Sequence, residues 1–137
     1  MAQAQYRLDT NICLSIRRER PQVVLDRFKV LALGSTAISV ITYGELAYGV
    51  QKSPDPRQAM LILEELTTLI PVVPMAADLA KTYGVIRADL AARGELIGNN
   101  DLWIAAHAKS LGLILVTNNE REFQRVDGLT IENWIKE

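Results

Sequence analysis

Tyr6-Arg7-Leu8-Asp9-Thr10-Asn11-Ile12 reads as a short strand running straight into a helix, with a carboxylate at the junction. The carboxyl end of a strand is where open α/β sheets place their ligands. The alternation continues down the chain. Apolar stretches at 6–8, 36–39, 70–73, 114–116 and, weakly, 130–132 alternate with helical patterns near 10–17, 22–31, 41–51, 55–69, 76–93, 100–111 and 120–125. Pro54 and Pro56 separate the third helix from the fourth, Pro71 and Pro74 bracket a strand, and Arg93-Gly94-Glu95 ends the fifth helix. This order predicts an α/β fold with a mainly parallel sheet covered by helices.

Three acids stand where burial favours an apolar side chain. Asp9 closes the first strand. Glu45 has Ile41, Thr42, Tyr48 and Gly49 as its helical neighbours, and Asp101 has Ile97, Gly98, Ile104 and Ala105. Each has an ordinary explanation: Asp9 as a helix N-cap, Asp101 as an acid at the positive end of a helix capped by Asn99 or Asn100, Glu45 as a side chain reaching out to solvent. Burying a carboxylate costs several kcal/mol (order of magnitude) unless it is paired or metal-bound, so the three together point to a divalent-cation site.

The 137 residues are expected to form one domain, 1–137, with 49% hydrophobic residues to build its core. A single cysteine, Cys13, forms no internal disulfide and has no second Cys or His at ligand spacing, which argues against structural zinc and for a reducing compartment. The first residues lack the order of a signal peptide, and no apolar run approaches the roughly 20 residues of a membrane span. The expectation is a soluble cytoplasmic protein without membrane partners. Net charge is −1, which gives no global basic field. Locally, Arg17, Arg18, Arg20, Arg27 and Lys29 outnumber Glu19 and Asp26, either a solvated face or a phosphate-handling rim.

Hard oxygen donors without soft ligands select Mg²⁺, with Mn²⁺ as the alternative, over zinc or copper. Several carboxylates collecting such ions are the apparatus of phosphodiester hydrolysis. Other apparatus is missing: the chain has no phosphate-binding glycine loop, and Asp9-Thr10-Asn11 has no second Asp two positions on. His107 is read as a packed or capping residue and Cys13 as a small core residue.

Leu8-Asp9-Thr10-Asn11-Ile12, Gly44-Glu45-Leu46-Ala47-Tyr48-Gly49 and the stretch from Ile97 to Ala108 resemble the three blocks of the PIN-domain ribonucleases of the VapC toxin family. The resemblance runs on through Leu115-Val116-Thr117-Asn118-Asn119, Glu122-Phe123, Gly128-Leu129 and Glu132-Asn133-Trp134, in order and over nearly the whole chain. It implies a PIN-like α/β/α sandwich, usually a homodimer, with Mg²⁺-dependent endoribonuclease activity on structured RNA, tRNA being the expected class. It further implies a toxin of a type II toxin-antitoxin system, held inactive by a VapB-type antitoxin whose C-terminal segment crosses the active-site groove. Asp9, Glu45 and Asp101 match the family's metal-binding, catalytic acids. The fourth acidic position falls on Asn119, with Glu120 and Glu122 as candidate substitutes, while Thr10, Asn11 and Thr117 would orient the acids. The rival readings are a catalytically weak co-repressor acting with the antitoxin at DNA, and a metal-dependent phosphatase or DNA nuclease using the same acids.

Overall fold

The computed structural model describes residues 5–32 and 34–135. Five strands, β1 (Tyr6–Leu8), β2 (Thr36–Ser39), β3 (Val72–Val73), β4 (Ile114–Val116) and β5 (Thr130–Glu132), form one sheet in the order β3-β2-β1-β4-β5. Every neighbouring pair is parallel. The helices are α1 (Thr10–Arg18), α2 (Gln22–Lys29), α3 (Val40–Lys52), α4 (Pro56–Leu69), α5 (Leu79–Ala92), α6 (Asn99–Ser110) and the short α7 (Glu120–Phe123). Among the described residues no helix is long and apolar enough to cross a membrane.

Successive strand residues face opposite sides, so the sheet feeds two cores. Leu8, Ile38 and Val116 pack against Ile12, Ile16, Val24, Leu46, Leu63 and Leu66 from α1 to α4, closed by Trp134. Leu115 turns the other way, into the layer of Leu79, Ile86, Leu90, Leu102, Ala105 and Phe123 from α5 to α7. The result is the expected α/β/α sandwich.

Several boundaries differ from the sequence pattern by a few residues, and three of the differences have a local cause. Strand β3 starts at Val72 rather than 70, because the Ile70 N–H continues the α4 ladder to the Leu66 carbonyl, and Pro71 offers only its carbonyl, to Ile38. Helix α5 begins at Leu79 rather than 76, since Ala76 to Asp78 turn first, with Leu79 N–H on the Ala76 carbonyl. Helix α6 is capped by Gly98, not by Asn99 or Asn100, and Gly98 offers no side-chain acceptor.

The connectivity decides where a ligand sits. From β1 the chain builds outward through β2 and β3 on one side, then crosses back to place β4 and β5 on the other. The order reverses between β1 and β4, and such a switch point leaves an open crevice beyond the strands' carboxyl ends. Asp9 follows β1 there, and Thr117 follows β4.

Candidate active site

The two explanations of Asp9 turn out to be compatible. Extended at φ −73° and ψ 162°, it caps α1, and its Oδ1 accepts from the Thr10 N–H at 2.7 Å. Its Oδ2 accepts from the buried Thr117 hydroxyl at 2.8 Å. An ionised carboxylate has about four lone-pair sites, so two hydrogen bonds leave capacity for a cation. Asp9 is only 6% exposed, and burial raises its pKa, with Glu45 adding to the rise while the Thr117 and Thr10 bonds oppose it.

Glu45 lies one turn inside α3, half-buried, and its Oε1 accepts from the Thr10 hydroxyl at 2.7 Å. Thr10 therefore gives its N–H to one acid and its hydroxyl to the next. Asp101 enters from the first turn of α6, half-buried. Its pKa is pushed up to about 7, first by burial, then by the charges of Asp9, Glu122 and Glu45 and by a hydrogen bond with Glu122. Three of the acids expected from sequence thus lie within electrostatic reach of one another at the switch point, with Glu122 as a fourth.

Asn119 takes a different part from the one expected of a ligand. Its N–H donates to Thr117 Oγ1 at 3.0 Å, and its side-chain amide donates to Glu122 Oε2 at 3.2 Å. It holds Glu122 in place, while Glu120 opens α7 two residues earlier. Asn11 is exposed and donates to Asn118 at 3.3 Å, bridging the first turn of α1 and the loop after β4 rather than reaching a carboxylate.

A groove of about 430 Å³ leads away from Glu45 and Thr10. Leu14, Leu46, Val50 and Ile62 give it apolar walls, and Arg17 and Arg18 stand at its side. Tyr48 is exposed under the Lys52 ammonium, 4.8 Å from its ring centre, and Tyr43 is half-buried. Trp103 stacks on Tyr83 of α5. Tyr83, Arg87 and Asn99 form a polar cluster beside the site that no motif marks; the available signal was the i,i+4 spacing of Tyr83 and Arg87. His107 and Cys13 are buried as expected, and burial raises the Cys13 pKa out of reach of neutral pH.

The acids supply only hard oxygen donors, which suits Mg²⁺ or Mn²⁺. Among the described residues no three acidic, His or Cys side chains converge closely enough to enclose an ion by themselves. Mg²⁺ needs only one or two carboxylates, keeping several waters and taking substrate phosphates besides.

The PIN domain pattern matches residues 6–129. Ribonuclease VapC2 of Haemophilus influenzae is 44% identical over 131 residues, covering 96% of this chain and 98% of the relative. The tRNA(fMet)-specific endonuclease VapC of Shigella flexneri is 44% identical over 130 residues, covering 95% and 98%. The crystal structure of VapBC2 from Rickettsia felis bound to a promoter DNA fragment superimposes with a TM-score of 0.88 at 39% identity, covering 94% of this chain and 98% of that one. The domain pattern spans most of the chain and the relatives are 44% identical over nearly its whole length: the chain belongs to the PIN-domain family and, within it, to the VapC ribonucleases.

Proposed function

We propose that this VapC-family ribonuclease is a Mg²⁺-dependent endonuclease that cuts structured RNA, with tRNA as its substrate class, and that a VapB-type antitoxin restrains it. One observation carries the reading: at the sheet's switch point the Asp101 carboxyl is held at a pKa of about 7, first by its burial and then by the charges of Asp9, Glu122 and Glu45. Such crowding is relieved by a cation. The Shigella flexneri relative, named for tRNA(fMet), supports the substrate class.

Asp9, Glu45, Asp101 and Glu122 would hold the metal. When bound, Mg²⁺ would activate a water and neutralise charge on the phosphate. Thr10 and Thr117 keep the Asp9 and Glu45 oxygens aimed into the crevice by direct hydrogen bonds. Asp101 gives up its proton near neutral pH, so its oxygens become available as ligands in that range. In the hydrolysis, a bond from water oxygen to phosphorus forms as the bond from phosphorus to the leaving ribose oxygen breaks, and the leaving oxygen gains a proton.

The groove running from Glu45 to Arg17 and Arg18 fits an antitoxin segment with apolar side chains, whose terminal Arg or Lys would enter the acidic pocket and compete with metal. The Rickettsia felis complex supports a partner of this class. A homodimer is the proposed assembly, which light scattering would test.

Purified antitoxin-free protein should cut bulk tRNA with Mg²⁺ and stop in chelator. Asp9→Asn and Asp101→Asn should abolish cutting while the protein stays folded. Undiminished cutting in chelator, or equal activity on DNA or on a phosphate monoester, would overturn the reading.

A further inference from the structure

Arg87 differs from the other arginines whose head groups the fold holds outside the buried core. Arg27 pairs with Glu132, Arg93 with Asp89 and Glu95, and Arg125 with Glu95. Arg87 instead gives Nη1 to two neutral acceptors, the Tyr83 hydroxyl at 2.7 Å and Asn99 Oδ1 at 3.3 Å. Its guanidinium carbon lies 6.0 Å from the Tyr83 ring centre. The Tyr83 hydroxyl donates in turn to Asn99 Oδ1. The other support of Tyr83 is Trp103, with ring centres 3.8 Å apart and planes 13° from parallel. An exposed, long side chain is thus tied down, and none of the ion pairs among the described residues includes it.

Fixing an arginine costs rotamer entropy. A carboxylate partner would offset that cost within the fold, but here the charge is ordered without one. Such a head group is pre-organised for an anion that arrives from outside. Its position says which anion. Asn99 is the first residue of α6 and Asp101 lies two residues on, so the guanidinium is tied to the helical turn that carries one of the acids. Four carboxylates repel a polyanion, and an RNA strand reaching them needs a cation on the approach. The planar fork of a guanidinium matches phosphate oxygens.

Resting on the ribonuclease reading above, we propose that Arg87, held by Tyr83 and Asn99, binds an RNA backbone phosphate beside the scissile one and so positions the strand over the acids. Backbone contacts fix register without reading sequence, so Arg87 acts on every RNA the enzyme takes.

The test separates binding from chemistry. Affinity for a labelled single-stranded RNA is measured over a salt series in an Asp101→Asn background, and cleavage kinetics are measured with Asp101 intact. Arg87→Ala should weaken binding roughly tenfold, and the slope of log affinity against log salt should become shallower by about 0.7, the loss of one phosphate contact on a single strand. In cleavage, KM should rise while kcat at saturating RNA holds. Arg87→Lys should recover part of the affinity, and Tyr83→Phe, which keeps the stack but removes the hydroxyl, should lose less than Arg87→Ala. Arg57→Ala on α4 should leave the salt slope unchanged.

An unchanged KM and salt slope in Arg87→Ala would overturn the proposal, as would a fall in kcat alone. A change in oligomeric state with unchanged RNA affinity would assign Arg87 to a contact between copies and overturn it too. If the parent protein cuts RNA and only the Arg87 results fail, the ribonuclease reading survives without this inference. If the parent neither binds nor cuts RNA, both fall.

Discussion

Thr117 Oγ1 donates to Asp9 Oδ2 at 2.8 Å and accepts from the Asn119 N–H at 3.0 Å, so one hydroxyl joins the two loops that flank the switch point. Thr117 is fully buried and Asp9 nearly so. The bond therefore sets the carboxylate's aim in a place water does not reach.

Thr117→Val keeps the shape and removes the donor. It leaves Asp9 Oδ2 buried with one partner fewer, which should cost about 1–3 kcal/mol of stability. The Asp9 pKa should climb further, since this bond is the largest influence now holding it down. Urea unfolding gives the first quantity and the pH profile of Mg²⁺ binding the second. Thr117→Ser should restore both.

The raised Asp101 pKa makes the metal-free protein sensitive to pH. Below about 4 Asp101 is protonated in both folded and unfolded chains, and above about 7 it is ionised in both. Between these values the folded state binds more protons, so stability falls as pH rises through that window. In chelator, the melting temperature should drop between about pH 4 and about pH 7, and Asp101→Asn should flatten the drop and melt higher at the upper pH. Equal slopes for the two proteins would exclude Asp101 as the source.

Metal binding should release a proton for the same reason, because a carboxylate ligates only when ionised. Calorimetric Mg²⁺ titrations near neutral pH, in buffers of different ionisation enthalpy, should show proton release. Asp101→Asn should abolish most of it.

Glu122 and Asn119 should rank in that order. Glu122→Gln removes a charge from the cluster and should raise the Mg²⁺ concentration needed for half-maximal cutting more than Asn119→Ala does. Asn119→Ala loosens the acid that its amide holds, at a cost of roughly tenfold to a hundredfold in metal affinity or activity. The reverse ranking would make the amide itself a ligand or a substrate contact.

Arg7 lies in the central strand, 6% exposed, with Nε and Nη1 buried and unbonded; burial first, and then the charge of Arg7, push the pKa of neutral His107 down to about 4. A buried cation without a carboxylate is destabilising, so Arg7→Met should raise stability by about 1–4 kcal/mol. The His107 pKa should rise, which NMR titration would read.

The sequence alone determined most of the element order and three of the acids. Alternating apolar runs, the prolines at 54, 56, 71 and 74 and the glycine at 94 act over a few residues, and short-range sterics and periodicity are legible in a linear string. Asp9, Glu45 and Asp101 were legible because a carboxylate on an apolar face is anomalous wherever the chain goes. Their convergence was not, because it follows from the strand order, which brings the ends of β1 and β4 side by side although more than a hundred residues separate them. The same holds for the choice of Glu122, which depends on the turn into α7, and for Gly98 rather than Asn99 as the cap of α6. Arg87 is the extreme case: on an exposed helix face any arginine reads alike. Only the packing of α5 on α6, which brings Asn99 to its guanidinium and Trp103 onto Tyr83, and no carboxylate among the described ion pairs, distinguishes it.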